Sequence, residues 1–333
     1  MIIPLSININ RFLLSSFLCF LLTGIHQECL SQSQELEEQK KISVLNDSLL
    51  ILDPAVMQVY RNHLFLTTFS KNTLIEMDTE FNLVRTFGQS GSGPGEFDDI
   101  GEFVVWNDSI YVFDMGSMNF HVFDLNSGYK RSIPTYNNHF PALKFTLDQD
   151  GNIYFISNRP NNPITVISTT GKLINQFRTN NSDEEELYNF ANNNAYLLNK
   201  KDKLILVYES RPLIKIFDLL NGKLFKTISL SNHEVLEEAT KKNENELRFM
   251  KSMKTTFTLF DDAYLTGNNL YVPLYQKVGT KILVFEITSD WDFKLKQILK
   301  TPGDQALTSV CANGKEIFAY DIIENQLINY KID

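Results

Sequence analysis

Short stretches of alternating apolar and polar residues recur along most of the chain, and polar turns separate them. One unit, made of a strand, a turn and a second strand, is repeated as LIEMDTEFNLVRTF, FHVFDLNSGYKRSI, ITVISTTGKLINQF, IKIFDLLNGKLFKTI, ILVFEITSDWDFKLKQI and, truncated, LINYKID. The residue after the first strand of each copy marks its position: Asp78, Asp124, Ser168, Asp218, Glu286 and Lys331. Six copies, most of them about 45 residues apart, are typical of the four-stranded blades of a β-propeller.

A second hairpin precedes each copy, with turns such as Asn107-Asp108-Ser109 and Asp150-Gly151-Asn152. Asn, Asp and Gly tolerate the positive φ angles that tight hairpins need. We therefore predict an all-β fold, a single six-bladed β-propeller of four-stranded antiparallel blades over residues 41–333. The last copy stops after three strands, while an unpaired strand candidate lies at Lys41–Leu52. Because an open ring would expose two sheet edges, we expect this N-terminal strand to close the last blade.

The gap between blades four and five is longer than the others. It contains His233–Met253, which is rich in helix-forming residues and has apolar residues at roughly helical spacing. We predict a short helical insertion of one or two helices across one face of the ring; an exposed loop is the alternative. The same composition argues against a seventh, degenerate blade.

The N-terminus has the pattern of an export signal. Arg11 precedes an apolar run, Phe12–Ile25, which is shorter than the roughly 20 residues that span a bilayer. Small residues follow at Ser31 and Ser33, as signal peptidase prefers. We predict a signal peptide over residues 1–33 and a linker over 34–40, with a retained membrane anchor as the alternative. The expected location is periplasmic, outer-membrane-associated or secreted.

Charge and cysteine content narrow the classes of partner. The net charge of −9 over 333 residues, without a block of basic residues, argues against nucleic acid. Cys19 and Cys29 fall in or beside the predicted signal, so Cys311 is left without a cysteine partner or a zinc-binding cluster. A lipid anchor at Cys29 would be the contact with a membrane, although the preceding IHQE is bulkier than lipidation sites favour. We expect a monomer.

A glycine-rich loop follows the first repeat, and it contains Gly88, Gly91, Gly93, Pro94, Gly95, Glu96 and Phe97. It departs from both phosphate-binding patterns: Glu96 stands where a dinucleotide loop needs its third glycine, and there is no lysine for a triphosphate. The sequence after it, EFVVWNDSIYVFD, predicts a strand pair, whereas phosphate loops lead into a helix. We therefore predict a structural inter-blade loop.

These loop residues carry a family resemblance. Phe87-Gly88, Gly91 and Gly93-Pro94-Gly95-Glu96-Phe97 resemble the inter-blade signature of NHL-type repeats. Together with the preceding LLILDP, they make the chain similar to the TolB-like six-bladed propellers of Bacteroidetes-type bacteria over Lys41–Asp333. The other junctions depart from the signature. The resemblance implies the propeller fold and a place in the bacterial envelope.

Two arginines are candidate binding residues. SNRPNN and ESRPLI place Arg159-Pro and Arg211-Pro after the second strand of blades three and four. Proline presets φ and a guanidinium is suited to carboxylates, so the pair could hold an anionic group at one end of the ring. The alternative is that both are solvated loop residues inherited from an ancestral repeat.

The evidence in the sequence for catalysis is weaker. Channel acids and an amide could hold calcium, as in lactonase-type propellers, and the candidates are Glu102, Asp114, Asn158, Glu209 and Asp321. The histidines do not recur at one register, as a zinc site shared by blades would need: His63, His121, His139 and His233. No Gly-x-Ser-x-Gly elbow is present. We favour a non-catalytic binding or scaffold module, without a cofactor, for a protein, peptide or glycan partner; the alternative is a calcium-dependent hydrolase or lactonase.

Overall fold

A computed structural model describes residues 32–45, 49–50, 54, 56–68, 72–157, 164–179, 194–249, 258–276 and 278–332. The chain from Ser33 to Asp333 forms one compact unit. Its strands build six four-stranded antiparallel blades, which confirms the predicted six-bladed β-propeller. Of the predicted signal segment, residues 1–33, the part before residue 32 lies outside the described residues, and Gln32 and Ser33 belong to the first strand.

The strands of the N-terminal segment and of the first three blades follow in chain order. Before blade 1 come β1 (Gln32–Glu35), β2 (Glu37–Ile42), β3 (Val44–Leu45) and β4 (Leu49–Leu50). Blade 1 is β5 (Met57–Tyr60), β6 (His63–Thr68), β7 (Thr73–Asp78) and β8 (Leu83–Phe87). Blade 2 is β9 (Ile100–Trp106), β10 (Ser109–Asp114), β11 (Asn119–Asp124) and β12 (Gly128–Pro134). Blade 3 is β13 (Pro141–Leu147), β14 (Ile153–Ser157), β15 (Ile164–Ile167) and β16 (Leu173–Phe177).

The remaining blades contain the helix and the C-terminal strands. Blade 4 is β17 (Ala195–Lys200), β18 (Lys203–Tyr208), β19 (Leu213–Asp218) and β20 (Leu224–Ser229). Helix α1 (Glu234–Phe249) follows, and then blade 5, which is β21 (Tyr264–Thr266), β22 (Asn269–Leu274), β23 (Lys281–Ile287) and β24 (Phe293–Lys300). Blade 6 contributes β25 (Leu307–Ala312), β26 (Glu316–Asp321) and β27 (Gln326–Lys331).

The hydrophobic core lies between the blades. Each of six buried clusters is built from two neighbouring blades. The cluster that joins blade 6 to blade 1 contains Leu64, Ile75, Phe318 and Tyr320. Blades are therefore held mainly by apolar contacts with their neighbours, and the ring closes through the same kind of contact.

An N-terminal strand closes blade 6, as predicted, but the strand is an earlier one. β2 pairs antiparallel with β27, with Glu37 opposite Lys331 and Ile42 opposite Leu327. The expected strand, Lys41–Leu52, was wrong in its bounds, because β3 and β4 pair with each other instead. Residues 34–40, predicted as a linker, are mostly strand. The outer strand of a blade faces solvent, so its sequence, EEQKKI, lacks the apolar alternation used to find strands.

The segment before β2 also lies against blade 5. β1 joins the outer edge of that blade beside β24 and makes it a five-stranded sheet. Between β1 and β2, the Leu36 amide donates to the Lys300 carbonyl at 2.8 Å. The Leu36 side chain is buried with Ile282 and Leu299 of blade 5 and Ile328 of blade 6. The N-terminal segment thus connects the last two blades.

The aspartate that ends the third strand of blades 1, 2 and 4 has a structural role. Asp124 accepts hydrogen bonds from the amides of Asn126 and Ser127 at 2.9 and 3.0 Å. Asp78 and Asp218 accept equivalent amide bonds in their own turns. These side chains cap the turn into the outer strand, which explains why the residue recurs with the blade period.

The glycine-rich loop connects blade 1 to blade 2 and folds back on itself. The Gly91 amide donates to the Phe97 carbonyl at 3.0 Å, and the Phe97 amide donates to Gln89 at 2.8 Å. Phe97 is fully buried in the core cluster between the two blades. Gly88 has a φ of 70°, and a Cβ at this position would lie 2.1 Å from the Phe97 ring. A side chain at residue 88 would therefore collide with the residue that anchors the loop.

Glu96 completes the loop from within. Its carboxylate accepts hydrogen bonds from Gln89 Nε2 and from the Gly93 amide, both at 2.8 Å. Two hydrogen bonds hold the pKa of Glu96 below its usual range. The bond from Gln89 has the larger effect and the bond from the Gly93 amide the smaller. The Glu96 carboxylate therefore stabilises the loop through hydrogen bonds within it.

The predicted helical insertion is present as α1. Leu236 is fully buried in the cluster between blades 4 and 5, and Val235 and Ala239 pack against that cluster. Among the described residues, no helix is both long enough and apolar enough to cross a membrane.

Candidate functional site

A groove opens on the face of the ring that carries the turns between first and second strands; we call it the turn-face groove. It measures about 920 Å³ and is lined by residues of blades 1 to 4, among them Gln58, Trp106, Asn152, Asn175, Lys201 and Leu219. Ile174 and Leu220 also line it, and they are 53% and 87% exposed. Its volume lies in the range of small-ligand sites, and its wall mixes polar groups with exposed apolar side chains.

The turn of blade 3 gives the groove a rigid wall. Asp148 accepts hydrogen bonds from the amides of Asp150 and Asn152, both at 2.9 Å, and from the Tyr154 hydroxyl at 3.1 Å. Gly151 takes a φ of 80° within this turn. The hairpin turn predicted at Asp150-Gly151-Asn152 is therefore present, and the structure adds that the Asp148 carboxylate is used in hydrogen bonds within it.

The groove adjoins a narrower space inside the central channel, which we call the lumen. The lumen measures about 170 Å³ and shares Gln58, Val104, Thr146 and Asn199 with the groove. Gln58 ties the inner strands of blades 1 and 2, because its amide group bonds the Val105 carbonyl at 3.0 Å and the Val105 amide at 2.8 Å. This bonding fixes the lumen wall.

Charged residues from several blades meet beside the lumen. The set is named here the channel cluster: Glu102 of β9, Lys144 of β13, Glu209 after β18, and Asp261 and Asp262 before β21. Lys144 forms a buried ion pair with Asp262 and donates to the Ala263 carbonyl at 3.2 Å. The other oxygen of Asp262 accepts bonds from Ser309 Oγ at 3.2 Å and the Val310 amide at 3.1 Å, which joins blade 5 to blade 6.

The remaining carboxyl groups of the channel cluster have altered acidities. Burial, followed by repulsion from Asp262, raises the pKa of Glu102 to about 8, although Lys144 acts in the opposite direction. Burial, then the charges of Asp262 and Glu209, raises the pKa of Asp261 to about 8. Burial also raises the pKa of Glu209. The cluster therefore holds more carboxyl groups than one ammonium can neutralise.

The comparisons with known proteins agree with this architecture. A family described as TolB-like 6-blade propeller-like matches residues 40–323. The chain belongs to this TolB-like family. No curated protein sequence matches it.

Solved structures similar to this TolB-like propeller are distant in sequence. A Bacteroides fragilis protein classed as exported has 14% identity, with 87% of each chain covered and a TM-score of 0.58. A streptogramin B lyase has 14% identity, with 90% of this chain and 87% of that chain covered and a TM-score of 0.52. Virginiamycin B lyase from Staphylococcus aureus has 11% identity, with coverage of 90% and 100% and a TM-score of 0.52. At such identities these likenesses show the fold alone.

Of the channel acids proposed from sequence, Glu102 and Glu209 do join the channel cluster. Asp114 instead accepts the Asp99 amide at 2.8 Å, and Asp321 accepts the Ala306 amide at 3.1 Å. Both carboxylates thus tie an incoming junction to the second strand of its blade. Asn158 lies outside the described residues. Those residues include no group of three His, Cys, Asp or Glu side chains arranged to hold a metal ion.

Sequence reasoning missed Lys144, Asp261 and Asp262. Lys144 carried a usable signal, because a charged residue interrupts the apolar run of β13, ALKFTL. Asp261 and Asp262 follow the insertion, outside any repeated unit. Their role depends on where the segment between the helix and β21 lies in the folded ring. The repeat pattern does not predict that position.

The predicted pair of arginines is described only in part, because Arg159 lies outside the described residues. The Arg211 guanidinium carbon is 4.3 Å from the centre of the Tyr208 ring, a cation–π arrangement. The binding role of the two residues stays a prediction. Of the histidines considered from the sequence, His63 contacts Glu76, and His121 is 3.6 Å from Asp114.

Proposed function

We propose that this TolB-like propeller is an exported, non-catalytic binding module that engages a protein, peptide or glycan partner at the turn-face groove. The observation that carries the proposal is the groove itself, at about 920 Å³, with Ile174 and Leu220 exposed at its wall. Large apolar side chains exposed beside a concave, partly polar surface are typical of interaction sites.

The composition of the wall favours a polypeptide partner over a glycan. Ile174 and Leu220 offer aliphatic contacts, which a peptide's apolar side chains would bury. Lys201 and Asp202 offer charges of both signs beside them. The six blades form a rigid frame that holds the groove residues in place. Binding would therefore lose little free energy in ordering them.

Export is part of the proposal. It is supported by the apolar N-terminal run after Arg11, by the family, and by the resemblance to a protein classed as exported. Intact-mass measurement of the protein from its native cells tests it: loss of the first 31–33 residues is expected with signal cleavage, and a diacylglycerol mass on Cys29 with lipidation. A full-length mass would contradict cleavage.

The binding role is tested by capture from the envelope extract of the native organism, with the purified protein as bait. We expect the double variant Ile174→Asp/Leu220→Asp to lose the specific partner by tenfold or more in measured affinity. Val84→Asp is the matched control, because Val84 is also an exposed apolar residue, 47% accessible, in the outer strand of a different blade. Equal capture by the double variant and the control would refute the groove as the binding site.

A further inference from the structure

The ion pair of the channel cluster joins side chains of two blades that are not neighbours. Lys144 lies on the inner strand of blade 3, and Asp262 lies just before the inner strand of blade 5. Their side chains are only 12% and 3% exposed. The ion pair of Lys226 and Asp292, between blades 4 and 5, is by contrast 30% and 54% exposed. Because burial penalises both charges of the first pair, a reaction that removed them would be favoured there.

Three contacts hold the Lys144 nitrogen beside the Asp262 carboxyl. Nζ contacts Asp262 Oδ1 and donates a hydrogen bond to the Ala263 carbonyl at 3.2 Å. The centre of the Tyr196 ring lies 5.9 Å from Nζ. An amine and a carboxyl group that are fixed in contact react as parts of one molecule, and such placement can supply an effective concentration of about 10⁵ M or more.

The Asp262 carboxyl is held by donors on both of its oxygens. Oδ2 accepts hydrogen bonds from Ser309 Oγ at 3.2 Å and from the Val310 amide at 3.1 Å. Oδ1 accepts the Ala263 amide at 2.7 Å. When a nucleophile adds to a carboxyl carbon, negative charge develops on the oxygen that remains in the product. Ser309 and Val310 direct two donors at such an oxygen, which is the arrangement of an oxyanion hole.

The neighbouring acids of the channel cluster are mostly neutral at pH 7. Burial raises the pKa of Glu102 to about 8, although Lys144 lowers it, and Asp262 adds to the rise. Burial, then the charges of Asp262 and Glu209, raises the pKa of Asp261 to about 8. Neither acid therefore adds a full carboxylate charge that would hold Lys144 in its charged form. The surroundings of the pair thus favour the neutral amine, which is the nucleophile.

We propose that Lys144 and Asp262 are joined by an isopeptide bond, which forms without an enzyme once the ring has closed. A proton passes from Nζ to Oδ1, and the neutral amine forms a bond to Cγ while the π electrons of the carbonyl move to Oδ2. The carbonyl re-forms when Oδ1 leaves as water with a second proton from Nζ. One ammonium and one carboxylate thus give one amide and one water, and no oxidant, reductant or co-reactant is needed.

The lumen gives the released water a way out. Lys144 and Ala263 line the lumen, whose volume of about 170 Å³ equals roughly five or six water molecules in the liquid. The lumen adjoins the turn-face groove, with which it shares Gln58 and Asn199. The product has no charge to bury, and it ties blade 3 covalently to the start of blade 5. Its amide oxygen, the former Oδ2, keeps the hydrogen bonds from blade 6.

Mass spectrometry of a tryptic digest of the purified, folded protein tests the proposal. An amide on Lys144 blocks cleavage after this residue, and Pro160 protects Arg159 from trypsin. We expect a branched peptide of residues 132–172 and 255–277, whose mass is one water less than the sum of its two chains. The exposed pair of Lys226 and Asp292 is the internal control, because trypsin should cleave after Lys226 as usual.

Substitutions at the pair distinguish the covalent bond from the ion pair. Lys144→Arg keeps the positive charge but has no nucleophilic amine, so residues 255–277 should be released as a free peptide. Asp262→Asn should give the same branched peptide as the unmodified protein, because the amine then displaces ammonia instead of water. Lys226→Arg, at the exposed pair, should leave the branched peptide unchanged. On a denaturing gel the unmodified protein, whose cross-link makes the unfolded chain more compact, should migrate faster than Lys144→Arg.

The role of Ser309 is tested by the rate of bond formation. When cell-free synthesis is followed over time, Ser309→Ala should form the branched peptide at least about tenfold more slowly, because one donor to Oδ2 is lost. Ile174→Asp/Leu220→Asp should form it at the normal rate even if it loses the partner. The bond and the proposed function can therefore fail separately.

Three results would overturn the inference. The first is complete cleavage after Lys144 in the folded protein, which would show an ion pair only. The second is a cross-link on residues 255–277 in Lys144→Arg, since a different amine would then be reacting. The third is an unchanged rate of bond formation in Ser309→Ala, which would refute the proposed route through the oxyanion hole.

Discussion

Individual polar side chains in this propeller mostly serve its turns and junctions. Asp78, Asp124 and Asp218 cap the turns into outer strands, and Asp114 ties the junction before blade 2 to the second strand of that blade. The glycines also have structural roles, and these differ from one position to another. Some are needed for backbone conformation alone, while Gly88 is also needed because no space exists beside it.

Two glycine variants separate these requirements. Gly88→Ala should lower the free energy of unfolding by about 2–5 kcal/mol, because it combines a positive φ with a collision against the Phe97 ring. Gly128→Ala is the control: Gly128 has a φ of 81° and nothing within 4 Å of the added Cβ, so about 1–2 kcal/mol is expected. Urea unfolding measures both. Equal losses would show that the packing of Phe97 does not constrain the loop.

Among the strands, those of the N-terminal segment contribute more to closing the ring than their polar sequence suggests. β2 supplies the outer strand of blade 6, and β1 extends blade 5. Leu36 between them is an apolar residue buried in the cluster shared by the two blades. The ring is therefore closed both by the pairing of β2 with β27 and by the burial of Leu36 between blades 5 and 6.

Leu36→Ala tests this connection. We expect a loss of about 2–4 kcal/mol in the free energy of unfolding, since a buried leucine is replaced by a cavity. Leu220→Ala, at a position 87% exposed, should change it by no more than about 0.5 kcal/mol. Denaturant titration compares the two variants. A Leu36 variant as stable as the Leu220 variant would mean that the N-terminal segment contributes little to closure.

For the whole molecule, the channel cluster couples stability to pH. The pKa values of Glu102 and Asp261 are raised to about 8 by burial and by neighbouring acids, from ordinary values of 4.5 and 3.8. The folded state thus binds more protons than the unfolded state between these limits. Their stabilising contribution is complete below about pH 4 and is lost as the pH rises through about 8.

We therefore expect the melting temperature to fall between pH 5 and pH 8.5. In Glu102→Gln the amide mimics the neutral acid at every pH, so the fall should be smaller than in the unmodified protein. Differential scanning calorimetry in matched buffers gives both slopes. Parallel slopes would show that Glu102 is not the group that titrates.

The blade count, the hairpin positions, the helical insertion and the position of the glycine-rich loop between two blades can be predicted from the sequence, because they depend on local alternation, turn residues and repetition. The identity of the strand that closes blade 6 depends on the folded ring, since the solvent-facing outer strand, EEQKKI, needs no apolar pattern. The channel cluster depends on the folded ring as well. Glu102 and Lys144 lie on the inner strands of blades 2 and 3, and Asp262 lies just before the inner strand of blade 5. They come together only because the closed ring arranges these blades around a common axis.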